Sequence, residues 1–181
     1  MFISQELRKK NIAEYLLYMW QVEDTIRAFD CSLSRIRQEY VNRFDYDDEQ
    51  KEELIDWFGN LIRMMNQEGC RQHGHLQINK VTLQMLTELH AQLLASPKFP
   101  FYNAAYYKVL PFIVELRNRG SNKEENEIET CFNALYGVMM LRLQKKEITP
   151  STAHAVKEIT TLIGMLSDYY KKDKEEGLKF E

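Results

Sequence analysis

Apolar residues along this chain recur in steps of three and four. Ile12, Tyr15, Met19, Val22, Ile26 and Phe29 do so without a gap, which is the seam of a helix that buries one face. Leu16 and Trp20 widen the seam beyond a coiled-coil stripe and suit a globular bundle. The pattern predicts a first helix over 4–29. It resumes in phase at Leu33, Ile36 and Tyr40. Asp30-Cys31-Ser32 predicts a break between the two runs, because Asp and Ser compete for backbone hydrogen bonds and favour cap positions.

After the polar link 44–48, Glu49, Glu52 and Glu53 fall in first turns, where the helix dipole favours acids. Leu54, Trp57, Phe58, Leu61, Met64 and Met65 form the next apolar face, and Gly69 or Gly74 should end that helix. The helix expected over 77–95 would bury Ile78, Val81, Met85, Leu86, Leu89 and Leu93. Ser96-Pro97-Lys98-Phe99-Pro100 stops it and starts another. That helix should reach residue 118, with Tyr102, Ala105, Tyr106, Val109, Ile113 and Leu116 inward and a kink at Pro111. A loop is expected at 119–122 and a helix over 123–145, burying Ile128, Cys131, Phe132, Leu135, Val138, Met139 and Leu143. Thr149-Pro150 reads as an N-cap followed by Pro at the first helical position. The last helix, to about residue 171, carries Val156, Ile159, Ile163, Leu166 and Tyr169.

Composition supports an all-α fold. Seven Gly and four Pro in 181 residues leave few tight turns, so the elements are few and long. The expectation is a single-domain bundle of six or seven mostly antiparallel helices over 1–172. A subdivision could only begin near 119–122, and the charged residues 173–181 should fray.

A net charge of −3, with Arg35, Arg37 and Arg43 as only a local basic cluster, argues against nucleic acid as a partner. The apolar runs are too short to span a bilayer and the N-terminus lacks the order of a secretory signal. Three well-separated cysteines imply no disulfide framework, so a cytoplasmic location is expected.

Cys70-x-x-His73-x-His75 is the densest set of metal-type donors. It matches no standard zinc spacing, and a polar loop is the expected reading, with no metal site. Asp45, Asp47 and Glu49 lack the Gly and the final Glu of a calcium loop, and helix capping explains them better. His90 lies beside an apolar stripe and should be a hydrogen-bonded, partly buried side chain. His154 and Glu158 read as a solvated face pair. Cys131, inside an apolar stripe, should be core. No phosphate loop, nucleophile elbow or dinucleotide fingerprint is present, so no cofactor is expected and the balance leans against an enzyme. Phe99, Phe101, Tyr102, Tyr106, Tyr107 and Phe112 form an aromatic stretch that is either core or the lining of a cleft.

Residues 11–24 (NIAEYLLYMWQVED), 106–112 (YYKVLPF) and 129–137 (ETCFNALYG) together resemble a family of small bacterial helical proteins of unassigned function. The resemblance covers nearly the whole chain. It implies a soluble single-domain protein and carries over no active-site residues. Wide apolar helix faces without catalytic motifs point to a non-enzymatic interaction or scaffold protein, possibly self-associating as a homodimer. The alternative is a small-molecule-binding bundle with a cleft lined by Tyr102, Tyr106 and Tyr107.

Overall fold

The computed structural model describes residues 1–119 and 125–181. Among them are eight helices and no strand: α1 (Phe2–Lys10), α2 (Ile12–Ala28), α3 (Leu33–Arg35), α4 (Asp48–Gln67), α5 (Gln77–Ala95), α6 (Pro100–Arg119), α7 (Glu127–Leu143) and α8 (Pro150–Glu176). The all-helical expectation holds, but the count is eight rather than six or seven. Two breaks account for the difference. Asn11 divides the expected first helix, its side chain accepting from the Ala13 amide at 3.1 Å, in the way Asn offers the backbone a local alternative to the helix. The expected break at 30–32 isolates the short α3, capped by Ser32.

The residues gather in two compact units, Met1–Lys9 with Glu14–Val81, and Lys10–Ala13 with Thr82–Glu181. In the first unit, Tyr15, Leu16, Met19, Trp20, Val22 and Ile26 of α2 are buried, as the seam requires. So are Leu54, Ile55, Phe58, Leu61, Ile62 and Met65 of α4. Behind α3 the chain widens into a π turn at Ile36–Tyr40 and tightens into a 3₁₀ turn at Val41–Arg43. There the Tyr40 ring packs against Phe29, Phe44 and Phe58 at centroid distances of 5.2–6.0 Å. Asp47 caps α4: its carboxylate accepts from the Gln50 amide at 2.8 Å, and the Gln50 side chain accepts from the Asp47 amide at 3.2 Å. This capping box confirms the capping reading of the acidic stretch.

α2, α4 and α7 end alike. The residue after the cap is left-handed, and the following amide reaches back to the last turn, from Cys31 to Ile26, Cys70 to Met65 and Lys146 to Leu141. This is the Schellman closure. Gly69 supplies the left-handed residue for α4, one of the two glycines expected to do so. Asp30 and Lys145 supply it for the others.

In the second unit α6 and α7 both pack on α8 and on each other. Tyr102, Val109 and Ile113 of α6 are buried, with Ile128, Cys131, Phe132 and Val138 of α7 and Ile159, Ile163 and Leu166 of α8. Thr149 caps α8 by accepting from the Thr152 amide at 3.1 Å, with Pro150 at the first helical position. Pro111 lies inside the unbroken span of α6.

Four expectations need correction. Ile78 and Val81 are exposed, because the buried face of α5 runs through Leu76, Asn79, Thr82, Leu83, Leu86, Leu89, His90 and Leu93 instead. Leu143 is exposed at the very end of α7. α7 starts at Glu127 rather than 123, since Asn126 caps it by accepting from the Glu129 amide at 2.8 Å. α8 continues to Glu176, where Gly177 closes it. Beyond it, the Phe180 carbonyl accepts from the Ser96 hydroxyl at 2.7 Å and the Phe180 ring lies 5.7 Å from that of Phe99. From Gly120 onward, the loop expected at 119–122 lies outside the described residues, as do residues 123 and 124.

Candidate functional site

The three tyrosines proposed from sequence sit at different depths on α6. Tyr102 is fully buried. Its hydroxyl shares a hydrogen bond of 2.7 Å with Nδ1 of His90, and its ring meets those of His90 and Tyr169 edge-on. Burial pushes the Tyr102 phenol far up, so it stays neutral. Tyr106 is half-buried. Burial and a hydrogen bond to Glu127 push its phenol up to about 12. Tyr107 points outward with 65% of its surface exposed and borders a surface hollow of about 530 Å3 with Leu94, Pro97, Pro100 and Ala104. The structure does not bring the three together around one cleft.

His90 is the buried, hydrogen-bonded histidine expected from its position. Its Nε2 lies 3.7 Å from a Glu127 carboxylate oxygen and has no hydrogen-bond partner among the described residues. Burial holds its pKa below the ordinary histidine value, partly offset by Glu127. Cys131 is core, and burial pushes its thiol up to about 12.

Cys70, His73 and His75 diverge. Cys70 is buried, His73 is exposed, and His75 stacks on Trp20 with ring centroids 4.2 Å apart. Among the described residues no three His, Cys, Asp or Glu side chains are grouped to hold a metal ion. His75 belongs instead to a network that sequence reasoning missed. Glu23 of α2 is 0% exposed, and its carboxylate accepts from His75 Nδ1 at 2.6 Å, from the Leu76 amide at 2.9 Å and from Asn79 Nδ2 at 2.6 Å. Arg27, one turn later, donates to the Cys70 and Gly74 carbonyls. Together they tie the 68–76 loop and the start of α5 to α2. Of the basic cluster, Arg35 pairs with Asp30 and Glu39, and Arg37 pairs with Glu52 through two bonds of 2.9 Å. His154 faces Phe112 edge-on.

Two features of the second unit have the shape of recognition surfaces. The first is the outward face of α6. Phe101 is 80% exposed, Tyr107 65% and Val114 51%, with Ala104 and Pro111 exposed between them. Residues 101, 104, 107, 111 and 114 follow steps of three and four, so they line one side of the helix opposite Tyr102, Val109 and Ile113. α6 therefore carries two apolar seams, and only one is covered within the chain. Lys108 and Glu115 flank the exposed seam.

The second is a groove of about 470 Å3 bordered by α6, α7 and α8. Phe112 and Leu116 form one wall, Ala134, Val138 and Leu141 another, and Ala155, Val156 and Ile159 the third. Glu115, Arg119, Asn133, Ser151 and Thr152 add polar groups. Gly137 also lines it. It sits mid-helix, and a Cβ added there would meet nothing within 4 Å.

The family model for a domain of unknown function, DUF4924, matches residues 1–177. The chain belongs to that family. The match takes in every described helix and both surfaces above. No curated protein and no solved structure matches the chain. Among the described residues, no helix is long and apolar enough to cross a membrane.

Proposed function

We propose that the protein is a non-enzymatic interaction module that pairs with a second copy of itself through the outward face of α6. The observation that carries this reading is the symmetry of the exposed seam. Phe101 and Val114, Ala104 and Pro111, and Tyr107 and Lys108 are each equidistant from the midpoint between residues 107 and 108. A two-fold axis through that midpoint sets two α6 helices antiparallel. Each Phe101 then meets the other copy's Val114, and each small Ala104 meets a Pro111. Each Lys108 ammonium comes over the other copy's Tyr107 ring, where a cation is attracted to the π face. Closed two-fold pairing needs a patch that is complementary to itself, and this seam meets that condition with no like charges opposed. Large exposed aromatics on one helix face also fit an interface better than a free surface. A reducing cytoplasmic setting belongs to the same reading, supported by Cys31, Cys70 and Cys131 all being free.

Sedimentation velocity over a concentration series tests it. The intact chain should sediment as a dimer, and Phe101→Glu and Val114→Glu as monomers with unchanged circular dichroism. A wild-type chain that is monomeric throughout, or variants that remain dimeric, would refute the pairing.

A further inference from the structure

The α6–α7–α8 groove differs from the seam: it is concave, and its walls come from three helices. We infer that it binds an amphiphile, an apolar chain ending in an anionic head of the long-chain carboxylate class. Its volume of about 470 Å3 falls within the range of small-molecule sites, which are mostly apolar with a few placed polar groups. Gly137 gives a second and independent indication. Glycine inside a helix is unfavourable relative to alanine, and it is normally retained for a left-handed backbone or for close packing. Gly137 has neither reason within the chain: it lies in regular helix, and the space its missing side chain leaves is empty. That space belongs to the groove, so the small residue keeps the groove open along α7.

The polar groups decide the head. Arg119 has one bond, from Nη2 to Glu115 at 2.5 Å. A guanidinium carries five N–H donors in a planar fork that suits carboxylates, so donors remain for a ligand. The Ser151 hydroxyl lies in the same groove without a partner among the described residues. Thr152 is already engaged, its hydroxyl 2.9 Å from that of Thr149. A carboxylate at Arg119 and Ser151, with its chain lying over Ala134, Gly137 and Ala155, uses each of these features. Glu115 opposes it, and its bond to Arg119 leaves the guanidinium fixed beside the groove rather than neutralised by burial.

Isothermal titration with dodecanoate below its micellar range tests the assignment, with dodecanol and dodecyltrimethylammonium as neutral and cationic controls. Dodecanoate should saturate at one per chain. Gly137→Leu, which places an isobutyl group in the empty space, should weaken it by about tenfold or more, equivalent to about 1.4 kcal/mol. Ala155→Leu, on the opposite wall, should act alike and serves if the first variant loses helicity. Arg119→Gln should erase the preference for dodecanoate over dodecanol. Lack of saturation by all three probes, or unchanged binding in both blocked variants, would overturn the site. Equal or tighter binding of the cationic probe would overturn the anionic head. Sedimentation of Gly137→Leu should match wild type, which separates this site from the α6 pairing.

Discussion

Replacing Glu23 by Ala should cost the protein about 3–5 kcal/mol of stability. The carboxylate is fully buried and accepts three hydrogen bonds. Two of its donors, the Leu76 amide and Asn79 Nδ2, are buried with it and have no water to turn to. Each buried donor left unmade costs about 1–3 kcal/mol. The third donor, His75, keeps 30% of its side chain exposed and can find water, so it adds little. Glu23→Gln separates the bonds from the charge. Glu23 Oε1 accepts from both Leu76 and Asn79, and a Gln carbonyl in that place keeps both bonds. Its amide then faces His75 Nδ1, which accepts in its other tautomer. The Gln variant should therefore lose only about 1 kcal/mol. Urea unfolding followed by tryptophan fluorescence measures both. Trp20 and Trp57 lie in the unit that holds the network, and Trp20 stacks on His75. An Ala variant within about 1 kcal/mol of wild type would refute the accounting by unmade hydrogen bonds. A Gln variant as damaging as Ala would show that the charge, rather than the bonds, holds the loop.

Two more outcomes follow from the buried groups of the second unit and the free thiols. His90 titrates lower in the folded chain than its ordinary 6.5 because of burial, so the unfolded chain takes up its proton first. Its contribution is intact above pH 6.5 and is lost as pH falls from there through the depressed value; urea midpoints across that window should show a slope that His90→Gln reduces, and an identical slope in the variant would exclude His90 as its source. Iodoacetamide on the native chain should modify Cys31, the half-exposed thiol, before the buried Cys70 and Cys131, as peptide mass mapping would show; early labelling of Cys131 would contradict its burial and a thiol raised to about 12.

What the sequence reveals here depends on whether a residue's partner is close along the chain. The α2 seam, the Asp47 box and the Thr149-Pro150 start are local patterns, and the structure keeps all three. The face of α5 was misassigned because its true buried side contains Asn79, Thr82 and His90. Apolar periodicity passes over such residues. Their burial is made possible by Glu23, 56 residues from Asn79, and by Tyr102, across a helix–helix turn from His90. The ends of α2 and α7 were hard to place for a related reason, since Asp30 and Lys145 take the left-handed position that glycine usually marks. The tyrosines of α6 were legible as chemistry but not as geometry. Two apolar seams on one helix look like a single aromatic stretch until the covered side is known. Nor could composition single out Gly137, since the emptiness beside it comes from α6 and α8.

The π turn at Ile36–Tyr40 sets how the chain tolerates changes in length. Such a turn holds one residue more than α-helical winding would use. Deleting one residue within 36–40 would let ordinary winding through this stretch, yet it would rotate everything after the deletion by about 100°. Tyr40 would then swing away from Phe29, Phe44 and Phe58, the three rings it joins. The wide turn thus acts as a spacer between two helical phases. Point substitutions on its exposed side, at Arg37, Gln38 or Glu39, leave that phase untouched, whereas a single codon lost there would unthread the aromatic cluster.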